Sequence, residues 1–233
     1  MSANKNKSVL FVLTSHGAQG AHGPTGYFLS EVTHPLATLE AAGVAVDFAS
    51  VQGGEPPVDG LDLDDPVNAR YWADPSFRKA VAETKPIADV DVKDYAAIFF
   101  PGGHGTMWDL PESAAVQKAV REVYERGGIV AAVCHGPAAL VNVKLSDGGY
   151  LVAGKRVAAF TDAEEAAVGL SEVVPFLLAG TLSKRGALLQ PAANWADNVV
   201  VDGRLITGQN PQSATSVGEA LRDMLAASHR TAA

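Results

Sequence analysis

The chain has one cysteine, Cys134, and it stands where an apolar run stops, in IVAAVCHGPAALVNV over residues 129–143. A thiolate is a strong nucleophile near neutral pH, so the position matters. Free cysteines are also among the most buried residue types, and most are inert filler. Against that, an apolar run that breaks into Cys134, His135, Gly136 and Pro137 has the layout of a nucleophile elbow. In such an elbow a sharp strand-to-helix turn exposes one side chain above a sheet and turns the next N–H groups toward a reacting atom. A helix N-terminus just beyond would favour the thiolate, and Pro137 suits a first helical turn, where its missing N–H costs nothing. The residues alone leave both readings open.

Other groups could serve the same chemistry. PGGHG at residues 101–105 lets backbone approach a ligand closely, and its Gly103 N–H could pair with that of His135 as an oxyanion hole. Gly103, His104 and His16 are the candidate oxyanion or substrate-binding residues. Glu31 lies among apolar residues in a helical pattern, where a carboxylate facing the core would need a purpose, although an exposed-face glutamate is the commoner case. Downstream, Asp162, Glu164 and Glu165 offer three acidic partners for His135, and Asp162 with Glu165 has capping-box spacing. His16, His22, His34 and His104 are scattered; no metal site and no cofactor is expected from them.

These residues need elements to position them. SVLFVLTSHG reads as a buried strand running into a loop, and PTGYFLSEVTHPLATLEAAG has helix spacing closed by Gly43. VAVDFAS is a second strand, so the opening is a strand–helix–strand unit of the parallel kind. Residues 51–94 interrupt the rhythm: GGEPPVDGLDLDDP reads as an irregular excursion, SFRKAVAETKP as a short helix ended by Pro86. Tyr71, Trp72 and Phe77 in this region are expected to shape a pocket. YAAIFFPGGHG and IVAAVCHG are further strands, separated by the amphipathic SAAVQKAVREVYERGG. GYLVAGKRVAAFTD suggests a hairpin or two short strands turning at Gly154 and Lys155. The segment from Ala163 to Ala187 is mostly helical in spacing, with Pro175 either kinking it or beginning a second segment, VVVDGRLITGQN is a final hairpin, and PQSATSVGEALRDMLAAS is an amphipathic helix. The sum is an α/β three-layer sandwich with a mostly parallel sheet, one domain over 1–233 with an inserted cap or loop region at about 51–94.

Composition narrows the partners. With a formal charge of −8 and no basic cluster, neither a nucleic-acid groove nor an anionic membrane face is expected, and Lys5 and Lys7 read as solvated surface. The N-terminal apolar run is too short for a membrane span and lacks signal-peptide flanks, so the cytoplasm is the expected location. One cysteine excludes an internal disulfide and any thiolate-rich metal cluster.

Taken in order, GYFLSEVTHPLATLEAAGVAVDFAS, DYAAIFFPGGHGTMWDLPES, GGIVAAVCHGPAAL, AAFTDAEEAAVGL and DGRLITGQNPQSA resemble the PfpI-like branch of the class I glutamine amidotransferase-like superfamily, in its glyoxalase III or heat-shock chaperone form. The resemblance spans nearly the whole chain. It implies a flavodoxin-like sheet with a small cap, a homodimer, and a small dicarbonyl substrate. The family nucleophile falls on Cys134, the histidine after it on His135, and the helix glutamate that hydrogen-bonds the cysteine on Glu31. The third, acidic member falls on Glu165, five positions after Phe160. The implied reaction is glutathione-independent conversion of methylglyoxal to D-lactate, without a cofactor. Alternatives carried by the same resemblance are a holdase chaperone, a deglycase, and a cysteine peptidase or amidase.

Overall fold

The computed structural model describes residues 8–231; Lys5 and Lys7 lie outside them. Strand β1 (Ser8–Leu13) is buried along its whole length, as a strand covered on both faces must be. A two-residue strand β2 (Tyr27–Phe28) leads into α1 (Leu29–Ala41), and β3 (Val46–Ser50) follows. The region read as irregular contains β4 (Val58–Asp59), α2 (Pro66–Ala73), α3 (Pro75–Ala82) and β5 (Lys85–Pro86). Then come β6 (Tyr95–Phe100), a short α4 (Thr106–Asp109), α5 (Ala114–Glu125) and β7 (Ile129–Val133). After Cys134 the chain makes β8 (Arg156–Val157), α6 (Asp162–Ala167), α7 (Leu178–Lys184) and β9 (Leu188–Leu189), then the hairpin β10 (Val199–Asp202) and β11 (Leu205–Gly208), and α8 (Ala214–Thr231).

Seven strands form the central sheet in the order β10-β11-β7-β6-β1-β3-β5, parallel except for the β10–β11 hairpin. Alternation along each strand sends side chains to opposite layers. Leu10, Val12, Ile98, Phe100 and Val130 join the core under α5 and α7. Val9, Phe11, Leu13, Phe99 and Ala131 join the core under α1 and α8, where Phe11 packs its ring against Phe99 with centroids 4.6 Å apart. This is the three-layer α/β sandwich that the pattern implies, with the flavodoxin-like sheet that the resemblance implies. Because β1, β6 and β7 are neighbours, the loops that leave their carboxyl ends converge at one edge, where ligand sites of open parallel sheets lie.

Several local readings are corrected. Asp65 and Asp74 each accept backbone N–H bonds at a helix start followed at once by proline, so residues 66–82 form two capped helices where composition suggested an excursion and one short helix. Pro86 does not end α3, which stops at Ala82; it pairs with Ser50 in the sheet. No hairpin forms about Gly154: Arg156 and Val157 pair in parallel with Leu188 and Leu189, which the turn pattern could not reveal. The run around Pro175 is two helices separated by turns.

Helices α1 and α8 pack on each other, and Gly218 sets how closely. A Cβ there would lie 2.7 Å from the Pro35 Cα, so only a residue without one permits the approach. Gly218→Val is expected to lower the unfolding free energy by about 1–3 kcal/mol through overpacking against backbone that cannot swing aside. An unchanged urea midpoint would show that the two helices separate without cost.

Candidate active site

Cys134 follows β7 with φ at +60°, one of only two non-glycine positive φ values among the described residues. Its backbone is pinned on both sides: Cys134 N–H donates to Gly208 O at 3.0 Å, and Phe160 N–H donates to Cys134 O at 2.9 Å. An L-residue in this conformation is strained, and it persists only where its surroundings over-determine it. The segment beyond is a five-residue 3₁₀ turn, Gly136–Leu140, with Pro137 in its first turn. The elbow exists, then, but with a short tight turn in place of a full helix.

Two partners meet the sulfur. His135 Nδ1 lies 3.4 Å from Cys134 Sγ, while on the far side of the ring Nε2–H donates to Glu165 Oε2 at 2.7 Å. A carboxylate accepts only, so the proton sits on Nε2 and Nδ1 is bare toward the thiol. The second partner is Glu31, in the first turn of α1 and without exposed surface. Gly102 N–H donates to its Oε2 at 2.6 Å, Oε1 has no hydrogen-bond partner of regular geometry, and the carboxyl group as a whole interacts with the Cys134 thiol. A Cβ on Gly102 would stand 2.6 Å from that same Oε2, which is why glycine is needed there.

Electrostatics follow from burial. Burial raises Glu31 to about 8, aided by the charge of Asp59 and opposed by the bonds from Cys134 and Gly102. Cys134 is pushed well above the ordinary thiol value, by burial first and Glu31 second, while the N–H groups of Gly103 and His135 pull it down. An exposed thiolate favoured by a helix N-terminus is therefore not what the structure holds: the sulfur is buried and rests as a thiol. Burial also lowers His135 to about 4, with His104 adding to the effect, so the ring is neutral near pH 7 and can accept a proton. Burial alone would raise Glu165, but the hydrogen bonds from His104 and His135 hold it at about 2.

The structure brings Cys134, His135, Glu31, Glu165, Gly103 and His104 to this one edge. His104 Nε2 meets Glu165 Oε1 at 2.9 Å, and its ring centroid is 4.1 Å from that of His135. His16 is not among the groups gathered in the pocket: its ring stacks on Trp108 at 5.1 Å and its Nε2 meets Ala18 O at 2.6 Å. His34 pairs with Asp65. The one group with metal-ligand geometry among the described residues is His104, His135 and Glu165, whose ligand atoms lie within 4.8 Å of one another. Both Glu165 oxygens there already accept histidine N–H bonds, which suits a hydrogen-bonded relay.

Among the three acidic candidates the geometry separates roles by one residue. The capping box is Thr161 with Glu164, not Asp162 with Glu165, and that shift leaves Glu165 free to meet the histidines. Glu164, one of those three candidates, does not meet His135 but gathers a loop instead: its Oε1 accepts from Trp195 N–H at 2.9 Å, Gln209 Nε2 at 3.0 Å and Asn210 Nδ2 at 2.9 Å, a role that sequence reasoning did not assign. Sequence reasoning also misjudged the pocket wall. Tyr71 and Phe77 are core residues and Trp72 packs beside them; the inserted region instead lines the pocket through Asp59, Gly60, Asp62 and Asp65. The S/T-x-x-E cap signal in Thr161 to Glu164 and the two Asp-Pro steps were readable and could have found these.

Glu31 binds its proton more tightly folded than unfolded, so its contribution to stability is full below about 4.5 and is lost as pH rises through about 8. His135 runs the other way, its contribution present above about 6.5 and lost as pH falls through about 4. Glu31→Gln removes the first dependence alone. Relative to wild type, the variant is expected to gain stability between pH 5 and pH 8, by a few kcal/mol at ~1.4 kcal/mol per pKa unit. Urea midpoints across that range check this; a pH-independent difference would mean that Glu31 is ionised throughout.

Comparison with known proteins agrees with this architecture. Residues 24–223 match the DJ-1/PfpI family. The glutathione-independent glyoxalase HSP31 of Saccharomyces cerevisiae is 36% identical over 229 residues, covering 90% of this chain and 94% of that protein. Glyoxalase 3 of Candida albicans is 33% identical, covering 94% and 97%. Among solved structures, the Rapid Encystment Protein 24 KDa of Francisella tularensis superposes with a TM-score of 0.91 at 40% identity, covering 94% of this chain and 99% of that one. The glyoxalase III structure from Candida albicans gives 0.86 at 31%, covering 94% and 96%. With a matching family model over most of its length, relatives of this identity and a Cys134 elbow on the expected sheet, the chain belongs to the DJ-1/PfpI family.

Proposed function

We propose that the protein is a glyoxalase III-type lyase that converts methylglyoxal to D-lactate without glutathione, with Cys134 as nucleophile. The observation that carries the reading is a strained Cys134 held between the bare Nδ1 of His135 and the carboxyl group of Glu31. Relatives named as glutathione-independent glyoxalases support it.

As the sulfur attacks the aldehyde carbon, its proton passes to His135 Nδ1, and Glu165 steadies the imidazolium that forms. The alkoxide forms beside the sulfur, where the Gly103 and His135 N–H groups that face the resting thiol can turn to it, and takes the proton back to give a hemithioacetal. Glu31, in its ionised form, removes the hydrogen on that carbon as the neighbouring ketone oxygen takes up a proton, giving an enediol; it then returns its proton to the neighbouring carbon while the first carbon's hydroxyl loses one, His135 relaying the oxygen proton, to leave a thioester. A group whose pKa lies near 8 suits both halves of that transfer. The first carbon is oxidised as the second is reduced, so the electrons balance within the substrate. Water then cleaves the thioester, releasing lactate and the thiol. A homodimer belongs to the same reading and rests on the family resemblance.

A second reading, a holdase chaperone, draws on Leu61, Leu63 and Val168, which are 48%, 45% and 42% exposed on and beside the loops that line the pocket. Light scattering by an aggregating client separates the two, since a holdase works through surface and is unaffected by Cys134→Ser.

D-lactate formation from methylglyoxal is the deciding assay. Cys134→Ser is expected to abolish it almost completely, because a hydroxyl at neutral pH lacks thiolate reactivity. Glu31→Gln keeps size and the Gly102 bond but removes the base, and should slow turnover by roughly 10² to 10⁴. A serine variant that retains most of its D-lactate production means that Cys134 is not the nucleophile.

A further inference from the structure

We infer that this pocket selects substrates whose far end carries a cation, an ammonium or guanidinium group at the end of a 2-oxoaldehyde. The inference rests on the proposed role of Cys134 for the oxoaldehyde end; the charge preference rests on the walls of the cavity.

The cavity that opens above Cys134 has a volume of about 440 Å³, far more than a three-carbon substrate fills. One wall is the 59–65 loop, which contributes Asp59, Asp62 and Asp65. No lysine or arginine lines the cavity, and among the described residues none forms an ion pair with these three carboxylates. Asp65 meets the His34 ring at 3.0 Å and caps α2, Asp59 accepts from Gly60 N–H and Thr25 Oγ1, and Asp62 accepts from Asp64 N–H. Their negative field reaches the floor, where the charge of Asp59 acts on Glu31. Low-dielectric walls focus such a field more than an open surface does.

Aromatic rings line the same cavity: Phe28, which pairs with Asp59 between β2 and β4, and Phe160 and Trp195. Trp195 is 40% exposed and is the second of the two non-glycine residues with positive φ, at +64°; the first is Cys134, in the same cavity. Strain of about 1–3 kcal/mol per residue persists where the surroundings impose it. Here Glu164 imposes it by accepting Trp195 N–H, and Phe160 supports the indole with ring centroids 5.7 Å apart. A large aromatic face held out toward solvent, in a cavity whose carboxylates no lysine or arginine pairs among the described residues, is the arrangement that binds an organic cation through both charge and the ring quadrupole. An anionic tail meets repulsion from the same wall.

The single cysteine makes the test direct, because any labelled thiol is Cys134. Its rate of modification is measured with methanethiosulfonates bearing trimethylammonioethyl, hydroxyethyl and sulfonatoethyl tails, each normalised to its rate with a small neutral thiol. The cationic reagent is expected to outrun the anionic one by at least about tenfold after normalisation, with the ratio falling as salt rises. Asp62→Asn should cut the ratio severalfold while the neutral reagent keeps its rate, which also shows the pocket intact. Trp195→Leu should slow the cationic reagent more than the neutral one. Glu83→Gln, an equal change of charge outside this cavity, should leave the ratio alone, separating the pocket's field from the net charge of −8. A normalised ratio near one, or one that Glu83→Gln lowers as much as Asp62→Asn, overturns the proposal. Labelling needs no turnover, so this result stands apart from the D-lactate assay: loss of D-lactate formation would overturn the glyoxalase reading and leave the measured charge preference as it is.

Discussion

A buried carboxyl group set against a buried thiol is the constraint on which the rest of this site depends. Neither group is solvated, so each makes ionisation of the other costly, and the pair rests with its protons on. The surrounding structure provides for that state without neutralising it. Gly102 and Gly103 bring N–H groups to the carboxylate and the sulfur, the elbow turns Cys134 over the sheet, and a neutral imidazole stands ready on the third side. Among the described residues, no cation is among the main groups that act on the sulfur and could trap a thiolate as a resting state. On the proposed reading, reactivity is thus held back until an electrophile arrives and the proton has somewhere to go.

The adjacent pair Glu164 and Glu165 shows how closely scaffold and chemistry are joined. One glutamate closes a capping box and gathers Trp195, Gln209 and Asn210; the next aligns two histidines. In a helix, successive residues point about 100° apart, so a single turn can serve the loop on one side and the relay on the other. The indole that overhangs the pocket and the imidazole that faces the sulfur are set by the same six-residue helix.

Much of this was legible in the residues. Three apolar runs that each break into glycine and polar residues located the loops, and the position of Cys134 at the end of one pointed to the elbow. What the sequence could not carry was burial. The same CHG step is compatible with an exposed thiolate or a sealed thiol, and only the packing of α1 on the loop after β6 decides it. Choice among Asp162, Glu164 and Glu165 turned on a helix start displaced by one residue, finer than periodicity resolves. The pairing of Arg156 with Leu188 was hidden because a turn pattern describes neighbours in sequence and says nothing of a parallel partner farther along. The acidic wall is not legible because aspartates in a Gly- and Pro-rich segment read equally as solvated loop, while Tyr71 and Phe77 of the inserted region are core and Trp72 packs beside them.

The packing of α1 against α8 has a consequence for how the molecule is made. Glu31 stands near the beginning of the chain, on a helix whose apolar side is covered by the last helix, at Pro35 against Gly218. During synthesis α1 emerges long before its cover, and contacts of such sequence separation are slow to form. Until α8 has emerged, a nascent chain holds β1, β3 and β6 in reach of one another with one face of the sheet incompletely roofed. The enclosure of Glu31 therefore waits on a helix far along the chain, so a chain without α8 would carry the cysteine without the full enclosure that governs its proton.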